Sequence, residues 1–191
     1  MNQKGSPKRV DNLNFWGNYE SQVSEKLKDM IYEQYYGRDL HVYCDCSLNT
    51  NMSQMSVACS YIGSGRIIVK RQYVYPPKDC IKTAIYGEIK ALLFGMTHFE
   101  KYNMPGCMKV VFYSDVEGIE GFLSNEITFK KNQTLKKIQS ELILYFRKVR
   151  KSNPNIKIDI KYLKNEEKIY NPFYKSSHNA ANKMLNKTFR R

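Results

Sequence analysis

Three carboxylates stand where a carboxylate is costly. Asp45 lies inside an apolar run, Val42-Tyr43-Cys44-Asp45-Cys46-Ser47. Glu88 sits among Ile85, Ile89 and Leu92, close to the apolar face of a tract with helical spacing, and Asp115 ends the run Val111-Phe112-Tyr113-Ser114-Asp115. An acid within a buried strand is destabilising by several kcal/mol unless a cation or hydrogen bonds compensate it. If the strands carrying Asp45 and Asp115 are neighbours, two carboxylates meet and the helix supplies a third. Hard divalent cations take oxygen-rich clusters of this kind, and paired metals clamp an in-line phosphoryl displacement. Each acid also has an ordinary reading. Asp115 can be a helix N-cap, with Ser114 and Glu117 in a capping-box pattern; Glu88 can face solvent at the edge of its stripe; Asp45 can be a strand-end turn residue before Ser47 and Asn49. Only the combination, in one topological order, is informative.

The elements that must position these acids follow from hydrophobic period. Residues 1–12, with Gly5, Pro7 and scattered charge, read as a flexible leader. Val23, Leu27, Met30 or Ile31, and Tyr35 recur at helical spacing from Ser21 or Ser24, and Gly37 can stop that helix. Three strands follow at 40–46, 54–62 and 66–75, the last two joined by the turn Gly63-Ser64-Gly65, with Pro76-Pro77 ending the third. The tract 81–102 switches period: Ile85, Ile89, Leu92, Met96 and Phe99 line one face of a long helix. A short apolar strand at 108–113 precedes a short helix at about 116–123. Leu135, Ile138, Leu142, Tyr145 or Phe146, and Val149 then mark a long helix with a very basic outer face. Ile156, Ile158, Ile160 and Tyr162 alternate as a fifth strand. A loop containing Asn171-Pro172 leads to a last helix at about 176–187. The order β-β-β-α-β-α-α-β-α predicts an α/β fold, a mixed sheet covered on both sides. Residues 1–38 form a leader and helix ahead of one domain at 39–191.

The chain has 191 residues and a net charge of +13. That suits one domain of about 100–200 residues. A 42% apolar content excludes a disordered chain, and no apolar run approaches the ~18 residues of a membrane span. The polar start shows no secretory signal, and five irregularly spaced cysteines point to a reduced, cytoplasmic setting. The charge is uneven: residues 127–191 hold seventeen basic side chains against four acidic, which is the whole surplus. A one-sided basic third suits a polyanion such as nucleic acid; the plainer reading is a solvated lysine face. Cys44 and Cys46 face one side of a strand without a second Cys or His pair, so they read as small buried hydrophobes rather than zinc ligands. His41 and His98 lack partner motifs for triad chemistry. Phe15, Trp16 and Tyr19 read as packing the N-terminal helix onto the core, with base stacking as the alternative.

In this order the motifs resemble the ribonuclease H family, the type 1 branch of the RNase H-like superfamily. Tyr43-Cys44-Asp45-Cys46-Ser47 resembles its first-strand Asp-Gly-Ser motif. Thr83-Ala84-Ile85-Tyr86-Gly87-Glu88-Ile89-Lys90-Ala91-Leu92 resembles its helix motif, and Tyr113-Ser114-Asp115 its fourth-strand Ser-Asp. His178-Asn179-Ala180-Ala181-Asn182-Lys183-Met184 resembles its final-helix motif Asn-Glu-x-Ala-Asp-x-Leu. The resemblance implies a five-stranded sheet of order 3-2-1-4-5, two magnesium (or manganese) ions, and hydrolysis of the RNA strand of an RNA–DNA hybrid. Carried over, Asp45 would bridge both ions, Glu88 and Asp115 would complete one site, and the other would use the final-helix acid, here Asn182.

Asparagine offers a carbonyl oxygen but no charge, which weakens the site that handles the nucleophilic water. His178, one turn earlier on the same face, is the group that could supply a ligand or handle a proton, against the plainer reading of an exposed histidine. Glu166 or Glu167 in the preceding loop are further candidates. Cys46 replaces the family's Gly, which bears on how closely a substrate backbone approaches. Lys136, Lys137, Lys148 and Lys151 on the basic helix are the expected phosphate contacts. The alternative to an enzyme is a weakened module that binds nucleic acid or protein, with the N-terminal helix as a route to a protein partner. A Holliday-junction resolvase on the same fold is a third reading.

Overall fold

The structure, a computed structural model, describes residues 13–49, 51 and 53–186, leaving aside the side chain of Glu166; the expected leader at 1–12 and the expected helix end at Lys187 lie outside it. Helix α1 (Glu25–Tyr36) starts at Ser24, whose hydroxyl accepts from Leu27 N at 3.3 Å, and stops at Gly37. Three strands follow, β1 (Leu40–Asn49), β2 (Gln54–Gly63) and β3 (Arg66–Val74). The later elements are α2 (Ala84–Tyr102), β4 (Lys109–Ser114), α3 (Ile119–Ser124), α4 (Gln133–Ser152), β5 (Lys157–Tyr162), α5 (Asn165–Lys168) and α6 (Pro172–Asn186). The sheet order is β3-β2-β1-β4-β5. Strands β1–β2 and β2–β3 pair antiparallel, and β1–β4 and β4–β5 pair parallel. The strand order and flanking helices are those implied by the resemblance.

Because strand side chains alternate, each sheet face has its own core. Val42, Cys44, Val57, Cys59 and Tyr61 share one with Ile89, Leu92, Met96 and Phe99 of α2 and Leu135, Ile138 and Leu142 of α4. Each fully buried aliphatic or aromatic side chain there stabilises by roughly 1.5–3 kcal/mol. On the opposite face Tyr43 and Ile62 pack with Ile31 of α1, Phe173 of α6, Leu163 and Trp16. Phe15 makes edge contacts with Trp16, Tyr35 and Phe173, and the Trp16 Nε1–H donates to Tyr170 O at 2.6 Å. These two rings are therefore packing groups, whereas Tyr19 is exposed.

Four boundaries differ from the sequence reading. Strand β1 runs on through Ser47 to Asn49, since these residues pair with Ser56 and Gln54 rather than forming a turn. Helix α3 begins at Ile119, not 116, because Gly118 takes a left-handed φ of 72°. Asp115 is thus not its N-cap. The expected loop at 163–171 contains the single turn α5, where Glu167 Oε2 accepts from Lys164 N at 3.1 Å. Helix α6 starts at Pro172, four residues early. Asn171 Oδ1 accepts from Phe173 N and Tyr174 N, both at 3.0 Å, and Pro172 occupies the first helical position, where a missing N–H is harmless. Among the described residues no helix is long and apolar enough to cross a membrane.

Candidate metal centre

The parallel pairing of β1 and β4 reaches Tyr43 opposite Tyr113. Asp45 and Asp115 each lie two residues beyond that pair, so one register delivers both carboxylates to the same edge of the sheet. Asp45 is 2% exposed. Glu88 comes from the other direction, on α2, which lies close to β1 because residue 87 is glycine: a β-carbon there would stand 2.6 Å from Cys46 Sγ. One oxygen from each of Asp45, Glu88 and Asp115 lies within 4.8 Å of the others.

The hydrogen bonding around these acids is incomplete in a consistent way. Tyr174 donates its hydroxyl to Asp45 Oδ1 at 3.1 Å. Lys168 Nζ stands 3.4 Å from Asp115 Oδ2. Asp45 Oδ2, Glu88 Oε2 and Asp115 Oδ1 are buried and accept no hydrogen bond. Buried polar atoms in folded proteins almost always find a partner, so one unpartnered oxygen on each of three converging carboxylates fits a hard cation. The electrostatics agree. Burial pushes the Asp45 carboxyl up from 3.8 to about 6, opposed by His178 and Tyr174 and reinforced by Asp115. Burial first, then Asp115 and Asp45, hold Glu88 well above the usual carboxylate range.

Helix α6 carries the remaining expected residues to the same edge. His178 Nδ1 lies 3.3 Å from Asp45 Oδ2, within ion-pair distance when the ring is protonated. Asn182 Nδ2 is 2.9 Å from His178 Nε2, and Ser47 donates to Asn182 Oδ1 at 2.5 Å. With the amide nitrogen toward the ring, Nε2 accepts and Nδ1 carries the proton that faces Asp45. The helix is fixed on the sheet by Ser56 Oγ, which donates to Ala181 O at 2.7 Å.

Two predicted features resolve differently. Cys46 packs under α2, with its Sγ 3.7 Å from Ala84 O. Glu167 closes the turn of α5 rather than reaching the acids. Lys136, Lys137, Lys148 and Lys151 are all exposed on α4, and Lys137 shares a groove of about 250 Å³ with Tyr86, Lys90 and Thr134. Sequence reasoning missed Tyr174 and Lys168. The aromatic one turn before His178 was a usable signal for the first; a lysine in a lysine-rich loop gave none for the second.

No family model matches the chain, and no curated protein matches it. Solved structures do. RNase H1 of the halophilic archaeon Halobacterium salinarum is similar at 14% identity, with 78% of this chain and 98% of that one covered and a TM-score of 0.54. LC11-RNase H1, solved in complex with an RNA/DNA hybrid, gives 14% identity, 77% and 99% coverage and a TM-score of 0.54. The N-terminal RNase H domain of a Mycobacterium tuberculosis protein gives 11%, 78% and 99%, and 0.52. Strand order, flanking helices and these likenesses together establish that the chain has the ribonuclease H fold.

Proposed function

We propose that this protein is a metal-dependent endonuclease that hydrolyses the RNA strand of RNA–DNA hybrids. The observation that carries the reading is the set of three buried, unpartnered carboxylate oxygens on Asp45, Glu88 and Asp115 at one edge of a ribonuclease H fold. These residues would hold Mg²⁺ or Mn²⁺, which when bound polarises the phosphodiester and orients the attacking water. The chain's own groups do the rest. Tyr174 fixes the Asp45 carboxylate through Oδ1 and leaves Oδ2 turned to the cluster. His178, half exposed, sets its Nδ1–H beside Asp45 Oδ2 and is the group at this edge able to take up a proton at Nε2 once the Asn182 amide turns away. Asn182, where the resemblance would set the acid of a second ion, is a neutral side chain engaged by Ser47 and His178.

The substrate class rests on charge and on likeness. The surplus of basic residues lies in the last third of the chain, and Lys136, Lys137, Lys148 and Lys151 present it on α4 as phosphate contacts. LC11-RNase H1, of the same fold, binds an RNA/DNA hybrid. All five cysteines are free, in keeping with a reduced, cytoplasmic setting. The neutrality of Asn182 favours one second reading, a module that binds hybrids but cuts them slowly. The test is a set of end-labelled duplexes. The proposal expects cleavage of the RNA strand of a hybrid, with its DNA strand and double-stranded DNA left intact. Equal cleavage of all duplexes, or none, contradicts it.

A further inference from the structure

We propose that Lys168 serves as a permanent second cation of the acidic cluster, so that the centre takes one divalent ion rather than two. This rests on the metal-centre reading of Asp45, Glu88 and Asp115. Lys168 is not a surface lysine passing by. Its side chain is 18% exposed, its Nζ stands 3.4 Å from Asp115 Oδ2, and it lies 6.0 and 5.8 Å from the ring centres of Tyr162 and Tyr174. Those rings come from β5 and α6, and the lysine from the single turn α5 between them. The ammonium is therefore held by two rings and the Asp115 carboxylate.

The oxygen inventory divides accordingly. Asp115 gives Oδ2 to Lys168 and keeps Oδ1 buried without a hydrogen bond; Asp45 gives Oδ1 to Tyr174 and keeps Oδ2, which His178 Nδ1 approaches to 3.3 Å; Glu88 keeps Oε2. One free oxygen from each acid makes the ligand set of a single hard cation, whose other positions go to water or substrate. Charge gives the same count. Three carboxylates against one ammonium leave two negative charges, which one divalent ion cancels. A second divalent ion would leave the pocket with an excess of positive charge, and Asn182 adds nothing to offset it.

Mn²⁺ titration of the intact chain, followed calorimetrically and by the electron paramagnetic resonance of free Mn²⁺, tests this. The proposal expects one ion per wild-type chain. Lys168→Met should bind that ion at least tenfold more tightly and admit a second, while Lys168→Arg keeps the wild-type count. Two ions in the wild type, or a Lys168→Met titration that overlays the wild type, overturns the proposal while leaving the metal centre intact. No Mn²⁺ binding by the wild type overturns both.

Discussion

Gly87 of α2 faces Cys46 of β1 so closely that a β-carbon on the glycine would sit 2.6 Å from Cys46 Sγ and 3.1 Å from Cys46 Cβ. The contact sets the height of α2 above the strand, and the next residue on each side is an acid of the cluster, Glu88 and Asp45. Gly87→Ala should therefore destabilise the fold by about 1–3 kcal/mol through overpacking, despite alanine's better helix propensity, and weaken Mn²⁺ binding as Glu88 is pushed away. Adding Cys46→Ala makes room and should restore most of both. Denaturant melts and metal titrations of the two single variants and the double variant close the cycle. Purely additive losses would show that this contact does not set the spacing.

The Asp45 carboxyl gives the metal-free protein a characteristic pH dependence. Its pKa is 3.8 when unfolded and about 6 when folded, chiefly through burial. Between those values the native state binds more protons than the unfolded state, so stability falls as pH rises through the window and stays lower above it. The deficit amounts to about 3 kcal/mol. Glu88, raised in the same direction, extends the decline upward. In chelator, Asp45→Asn should melt above the wild type at pH 7–8 and level with it below about pH 4. Divalent metal should raise the wild-type melting temperature at pH 7 and leave that of Asp45→Asn unchanged. A wild type whose chelated stability rises over this range would contradict the assignment.

The exposed face of α4 makes a separate, purely electrostatic prediction. Neutralising Lys136 and Lys137 together should weaken hybrid binding uniformly across sequences and lower the slope of log affinity against log salt by about 0.9 for each phosphate no longer neutralised. Lys148→Ala with Lys151→Ala should act in the same way. Binding isotherms at several salt concentrations measure this, and an unchanged slope removes α4 from the interface.

Asn182→Asp restores a charge where the family's final-helix acid would stand. It should raise the rate of hybrid cleavage at least tenfold at limiting Mg²⁺, and tighten Mg²⁺ binding. Its Ser47 partner can still donate to a carboxylate oxygen, so the fold should be retained. Initial rates across a Mg²⁺ series measure the effect. A variant no faster than the wild type would show that the centre works without that charge.

The sequence carried the architecture because its signals are local. Strand alternation, the step of Ile85, Ile89, Leu92, Met96 and Phe99, and Ser24 and Gly37 at the ends of α1 need no partner to be recognised. Three acids were legible because charge within apolar runs demands compensation. What failed to show depended on distant partners. Asn171-Pro172 reads equally as a loop or a helix start until the amides of Phe173 and Tyr174 are seen to bond to Asn171. Gly118 looks like any helix glycine until its φ is known. The packing of Cys46 on Gly87, forty-one positions away in the chain, is a contact that no local pattern announces. Lys168 was one lysine among many, and only the fold of β5, α5 and α6 shows it against Asp115.

The central claim is that Asp45, Glu88 and Asp115 form a metal centre that cuts RNA in a hybrid. The most direct measurement is cleavage of a hybrid with labelled RNA in Mg²⁺ and, separately, in Mn²⁺, with Asp45→Asn and a chelator control alongside. The account predicts cut RNA in at least one metal, none in chelator, and none with Asp45→Asn despite a native fold and retained hybrid binding. Intact RNA in both metals, or a cleaving Asp45→Asn, would contradict it.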